Sequence, residues 1–264
     1  MQRFWQTHLG DEVSYDPAYH DNTRVDIASF IGEAPGVVLD IGCGGGATGK
    51  LIKQKFPGAR VVGIESNRNA AARAREVLDD VICAPLDAAP VAERLGGSRL
   101  DLVLLLDVLE HLYDPWRSLV HVRGWLAPHT RVLASVPNVR NLVTLDDLAA
   151  GRWEYGANGV LDITHLRFFT KATLRALFEQ TGYAVREMTP LFRPETVDRY
   201  ILARRPGRVT TRNLSICYRD REDLEDLYAI QYVVDARLAE LPVDSGAVNA
   251  SPGGVVPALD GASP

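Results

Sequence analysis

The sequence predicts a doubly wound α/β fold on a mostly parallel sheet, and three features predict it. Short apolar runs rich in β-branched residues recur along the first 137 positions, as strands buried on both faces require. Between them lie stretches of helical character. The first run, Val37–Ile41, breaks into a cluster of Gly42, Gly44, Gly45 and Gly46. Glycines there permit a tight strand-to-helix elbow in which no Cβ holds a ligand off. Such alternation implies right-handed crossovers and a ligand crevice at the carboxyl edge of the sheet.

Met1–Tyr19 is polar and aromatic without a clear period. Arg24–Gly32 has apolar residues at Val25, Ile27, Ala28, Phe30 and Ile31, which fits a short amphipathic helix. Residues 1–36 therefore read as a lid or as a cover for the sheet. Val37–Ile41 is the first strand, with its helix over Ala47–Phe56. Arg60–Glu65 is the second strand, followed by a helix over Asn67–Asp79, and Val81–Ala84 is a short third strand. Leu100–Leu106 is the most hydrophobic run and reads as a central fourth strand ending in Asp107. Pro115–Leu126 is the next helix and Arg131–Pro137 the fifth strand.

The rhythm then breaks. Asn138–Phe169 shows no clean strand and reads as a substrate-side insertion. Thr170 caps a helix over Lys171–Thr181 that stops at Gly182. Ala184–Thr189 and Tyr200–Arg204 are expected to close the sheet as an antiparallel pair, giving seven strands in a domain over 37–206. Residues 207–241 read as an appendage whose second half, Glu222–Leu241, has helical apolar spacing. That helix either packs on the domain or forms a homodimer contact. Pro242–Pro264 is rich in Pro, Gly, Ala and Ser and lacks Lys and Arg, so it is expected to be disordered.

Composition narrows the function. A length of 264 residues suits one domain with additions. A net charge of −5 leaves no basic footprint and argues against a nucleic-acid partner. Cys43, Cys83 and Cys217 form no metal or CxxC spacing, as expected of reduced thiols in a cytoplasmic protein. No apolar run is long enough to span a membrane, and no signal-peptide core is evident.

The candidate site residues cluster after strands. Glu65 ends the second strand, about 20 residues beyond the glycines, where a dinucleotide fold places a ribose-binding acid. Asp87 offers an acceptor to an adenine amino group or is an ordinary loop acid. Asp107, Glu110, His111 and Asp114 are packed densely after the fourth strand, which is a site signal. His111 and His165 are the two candidate bases, each equally readable as a structural histidine. Asp162 stands three residues before His165 as an orienting carboxylate. Arg167 either binds an anionic ligand or pins the insertion to Glu110. Trp153 and Tyr155 either stack on a sugar or aromatic ring or fill the insertion's own core. The acids show no evident ligand set, so no metal is expected.

VLDIGCGGGATG, then VVGIE, then DLVLLLDVLEHLYDP together resemble the class I S-adenosylmethionine-dependent methyltransferases. GVLDITHLRFFTKATLRALFEQTGY looks like a subgroup associated with glycan, lipid or natural-product tailoring. The resemblance covers roughly Tyr19–Arg205 and implies a Rossmann-like fold with S-adenosylmethionine as cofactor and S-adenosylhomocysteine as product. It implies a cofactor site at Tyr19, Arg24, Asp40, Gly42, Cys43, Gly44, Glu65, Ser66, Asp87, Asp107 and Val108. Arg24 is either a partner for the cofactor's carboxylate or a surface salt bridge. The expected reaction is methyl transfer to a hydroxyl of a small-molecule, sugar or natural-product acceptor. N- or C-methylation, a nicotinamide-dependent oxidoreductase and a non-catalytic cofactor-binding module are the rival readings.

Overall fold

The computed structural model describes residues 23–240. Seven strands form one sheet in the order β3-β2-β1-β4-β5-β10-β6. They are β1 (Val37–Ile41), β2 (Arg60–Glu65), β3 (Asp80–Cys83), β4 (Leu102–Leu106), β5 (Arg131–Pro137), β6 (Tyr183–Phe192) and β10 (Ala229–Leu238). The first five pair in parallel, while β10 runs antiparallel to both β5 and β6. The expected seven-stranded Rossmann-like sheet with one antiparallel strand is present.

Burial on both faces explains the near-continuous apolar runs. Leu39, Ile41, Val103, Leu105 and Val132 point into one core, with Leu119 and Val122 of α4 (Pro115–Arg123) and Leu174, Leu177 and Phe178 of α6 (Lys171–Gln180). Val38, Leu102, Leu104 and Leu133 point the other way. They meet Ile52 of α1 (Ala47–Lys55) and Ala71 and Ala74 of α2 (Arg68–Ala74). This strict period of two is what a central strand must show. The expected Thr170 cap is formed, with a reciprocal bond to Thr173. Asp114, prominent among the acids, caps α4 by accepting from the Arg117 N–H at 3.0 Å.

Three expectations are corrected. Arg24–Gly32 contributes only a turn of 3₁₀ helix, Ile27–Ser29, too short to present an amphipathic face. Tyr200–Arg204 does not close the main sheet. Instead β7 (Ala203–Arg205), β8 (Arg208–Thr210) and β9 (Ser215–Cys217) form a separate three-stranded sheet. The Pro206–Gly207 pair, with Gly207 at φ 72°, turns β7 directly onto β8. That local closure is entropically cheaper than a distant pairing.

The closing strand is β10, inside the segment read as helical. Only Arg221–Tyr228 is helix, α8. Tyr232, Val234 and Ala236 enter one core and Val233 the other. Apolar groups on both faces make a buried strand look like a helix in sequence. These side chains pack inside the chain. The insertion also holds a helix the sequence did not reveal, α5 (Leu142–Ala149). Arg140 ties its start to α8 through Asp223 at 2.7 Å and Asp226 at 2.5 Å. The remaining short helices are α3 (Val91–Leu95) and α7 (Pro194–Asp198). Tyr19 and the tail Pro242–Pro264 lie outside the described residues.

Candidate functional site

The carboxyl edge of β1 bends sharply over β2. The Gly42 and Cys43 amides both donate to the Ile64 carbonyl, at 2.8 and 3.1 Å. Gly42 has φ 71°, and a Cβ on it would lie 2.7 Å from Val108 Cγ2. Glycine is therefore needed twice here, for the backbone angle and for the close approach of the loop after β4. The Cys43 side chain turns into the core and is 7% exposed. Burial raises its thiol pKa, so only its main chain serves the loop.

Glu65 stands at the end of β2 and closes the elbow. Its carboxylate accepts from the Gly44 amide at 2.9 Å and from the Asn67 amide at 2.7 Å. Two oxygens offer about four lone-pair sites, so acceptor capacity remains for a diol. Asp40, inside β1, is 3% exposed and its Oδ2 has no hydrogen-bond partner among the described residues. Burial pushes its carboxyl up to about 7, and the Glu65 charge adds to the effect. Ser66 and Asp87 are exposed at the ends of β2 and β3. Asp87 lies in the turn Leu86–Ala88.

Asp107 begins the loop after β4 at φ 57°, the only non-glycine residue at positive φ among the described residues. Such a backbone costs energy and persists only where surroundings hold it. The hold is visible: its amide donates to the Ser135 carbonyl at 3.0 Å. Its carboxylate accepts from Arg24 Nη1 at 2.6 Å, from the Ser135 hydroxyl at 3.2 Å and from the Gln231 amide. The other edge of Arg24 grips Asp26 through two bonds, at 3.0 and 2.7 Å. Arg24 is 9% exposed. It is therefore neither a surface salt bridge nor an open carboxylate receptor in the free chain, because both its edges are taken.

Asp26, Ser135 and Gln231 were not singled out in the sequence. A polar residue within the apolar β5 run was the available signal for Ser135. Gln231 had none while its strand read as helix.

Beyond Val108 the chain makes a short turn, Leu109–His111. Glu110 is 1% exposed, and neither carboxylate oxygen has a hydrogen-bond partner among the described residues. Burial pushes its carboxyl well above the ordinary range, with the Asp107 charge adding to it. The Glu110 carbonyl accepts from the Leu166 and Arg167 amides at 2.8 and 3.0 Å. The insertion is thus pinned to Glu110 by main chain. The Arg167 guanidinium goes instead to the Tyr113 carbonyl, with Nε at 3.0 Å.

The structure brings His111 and His165 together, with ring centroids 4.7 Å apart and planes at 72°. His165 Nδ1 meets the Val160 carbonyl at 3.0 Å. His111 Nδ1 lies 3.1 Å from the Thr164 hydroxyl, which donates to Asp162 at 2.6 Å. Asp162 therefore orients His111 through Thr164, where it was expected to orient His165. Burial, then the neighbouring His165, holds the His111 pKa below the usual imidazole value. Trp153 packs edge-on against Phe168 at 5.3 Å yet stays 37% exposed, and Tyr155 is 46% exposed.

Comparison with known proteins bears on the family and the fold. A methyltransferase-domain family matches residues 19–188. A Streptomyces fradiae protein described as an uncharacterized 37.1 kDa protein in transposon TN4556 is 29% identical over 160 residues, covering 57% of this chain and 46% of its own. A trans-aconitate 2-methyltransferase of Escherichia coli is 30% identical over 101 residues, covering 38% of this chain and 39% of its own. The matches thus span less than half the length of these relatives. The solved Burkholderia thailandensis 1,6-didemethyltoxoflavin-N1-methyltransferase shares the fold, with a TM-score of 0.52 at 17% identity, covering 89% of this chain and 84% of that one. The described residues include no helix long and apolar enough to cross a membrane. The chain belongs to the methyltransferase-domain family, with the fold of the class I S-adenosylmethionine-dependent methyltransferases.

Proposed function

We propose that this chain binds S-adenosylmethionine and methylates a hydroxyl of a small-molecule, sugar or natural-product acceptor. The observation that carries the reading is the cradle at Gly42–Gly44, closed by Glu65 and backed by the orphaned Oδ2 of Asp40. A buried carboxylate oxygen without a partner invites a donor. The amino group of the cofactor, directly or through water, is such a donor. Glu65 keeps acceptor capacity for the ribose hydroxyls, and Asp87 stands where an adenine amino group would look for one. When bound, the cofactor supplies an electrophilic methyl group.

The chain's own part is positioning and proton handling. Holding the acceptor in line accounts for much of the rate such a site supplies. His111 is the better placed of the two bases, because burial favours its neutral form and Thr164 and Asp162 fix its ring. It would take the acceptor's hydroxyl proton on Nε2, leaving the oxygen its electron pair. The exposed ring of Tyr155 and the exposed edge of Trp153 offer apolar contact to an acceptor. The name of the trans-aconitate relative supports a small-molecule acceptor.

Calorimetry with S-adenosylhomocysteine tests the cofactor, and binding is expected where NAD gives no heat. A labelled-methyl screen over hydroxyl, carboxyl and amine acceptors tests the rest. Label entering amines alone would overturn the O-methylation reading.

A further inference from the structure

The acid and the two imidazoles beyond β4 are arranged in a way that base catalysis does not require. One donor atom from each of Glu110, His111 and His165 lies within 4.8 Å of the other two. Both oxygens of Glu110 lack a hydrogen-bond partner among the described residues, in a side chain that is 1% exposed. A buried carboxylate is costly unless it is protonated or meets a cation. The charge of Arg24 favours the ionised form of Glu110 but gives it no hydrogen bond, since Asp26 and Asp107 use both edges of the guanidinium. Asp107 and Asp162 add negative charge around Glu110.

The imidazoles are also held from behind. His165 Nδ1 donates to the Val160 carbonyl, and His111 Nδ1 faces the hydroxyl and carbonyl of Thr164. Backing of this kind fixes the tautomer with Nε2 as the lone-pair nitrogen, and it accompanies metal-ligating histidines.

We propose that Glu110, His111 and His165 bind one divalent cation of the zinc or manganese type. Two imidazoles with one carboxylate favour a first-row transition ion over magnesium or calcium, which prefer oxygen shells. Around a tetrahedral ion with bonds of about 2.1 Å, donors stand roughly 3.4 Å apart. Side-chain rotations moving each donor by about 1 Å close the present set to that spacing. Three protein ligands leave a coordination position open, as catalytic sites do and structural ones do not.

An acceptor hydroxyl bound at that position becomes more acidic. Its proton passes to solvent water, and the oxygen keeps the electron pair with which it forms the new bond to carbon. With the ion bound, the two imidazoles act as ligands, and the base role given above to His111 belongs to the ion-free chain. The ion's role rests on the O-methylation reading above, whereas binding of the ion does not.

The test is a titration of the full chain, stripped with a chelator, with Co²⁺ followed by its visible absorption. One equivalent is expected to bind with the bands of a four- or five-coordinate nitrogen–oxygen site, and Zn²⁺ is expected to displace it. Glu110→Gln and His165→Asn should each weaken Co²⁺ binding by about 100-fold or more. Retained binding of S-adenosylhomocysteine shows that these variants fold. Absence of the spectrum, or unchanged affinity in both folded variants, overturns the site. The wild-type titration decides by itself if a variant does not fold, because an octahedral all-oxygen spectrum also overturns it. Metal-free protein that methylates as fast as the zinc- or manganese-loaded form overturns the ion's role. Failure of the O-methylation reading looks different: Co²⁺ binds as expected while no hydroxylated acceptor takes label.

Discussion

Two glutamates at the same sheet edge are treated in opposite ways. Glu65, after β2, is satisfied by two backbone amides before any ligand arrives. Glu110, after β4, is more deeply buried and has no partner among the described residues for either oxygen. The first region is preorganised, so a ligand meets a finished surface and little ordering cost remains. The second region is unfinished: burial favours the protonated carboxyl there, and positive charge or a donor is the other way to satisfy it. Asp40 sits on the finished side yet shares the orphaned condition at one oxygen.

Experiments that break or sharpen this contrast can be ranked by size. The largest effect is expected at Asp40. Its folded pKa, about 7, lies well above the ordinary carboxylate range, so the native state holds the proton longer. The stability this contributes is complete below the unfolded pKa and is lost as pH rises through about 7. The loss is of order 4 kcal/mol. Asp40→Asn should reduce that pH dependence and leave the part that the buried Glu110 carboxyl contributes, as read from urea midpoints of the ligand-free chain between pH 4 and pH 8. A slope unchanged by the substitution contradicts the orphaned oxygen.

Next is Glu65→Gln, which can no longer accept at both ends. A destabilisation of about 1–3 kcal/mol is expected, with S-adenosylhomocysteine affinity in calorimetry falling by about 100-fold. Arg24→Lys keeps the charge but loses the fork that spans Asp26 and Asp107, and should cost about 1–2 kcal/mol in thermal or urea unfolding.

Glu110→Gln is the sharpest contrast with Glu65→Gln. In ion-free protein at about pH 4, where burial keeps the Glu110 carboxyl protonated and no hydrogen bond is lost, stability should change by less than about 1 kcal/mol. Equal costs for the two Gln variants would erase the distinction. Arg175→Ala sets the floor. Its 3.5 Å pair with Glu179 is exposed, and removal should shift stability by under about 0.5 kcal/mol.

Legibility follows the range of the interaction. The five parallel strands and the glycine elbow are readable because period and turn chemistry act between near neighbours. Glu65 is readable because the strand–turn–helix geometry places it about 20 residues after the glycines. Asp162 is half-readable: its proximity to His165 is local, but Thr164 redirects it to His111. The closing strand is unreadable by period alone, since Tyr232 and Val233 are buried on opposite faces. Ala203–Arg205 is diverted by the Pro206–Gly207 turn, whose local closure wins over a distant pairing.

From the sequence alone come the α/β order, the cradle and the acid that closes it, because backbone preference and apolar period decide them locally. Tertiary structure alone sets the Arg24 fork on Asp107, which joins positions 83 apart, and the Gln231 bond to the same acid, which joins positions 124 apart. It also assembles Glu110, His111 and His165. Which polar group meets which across such separations depends on how the sheet and insertion pack, and no local pattern encodes that.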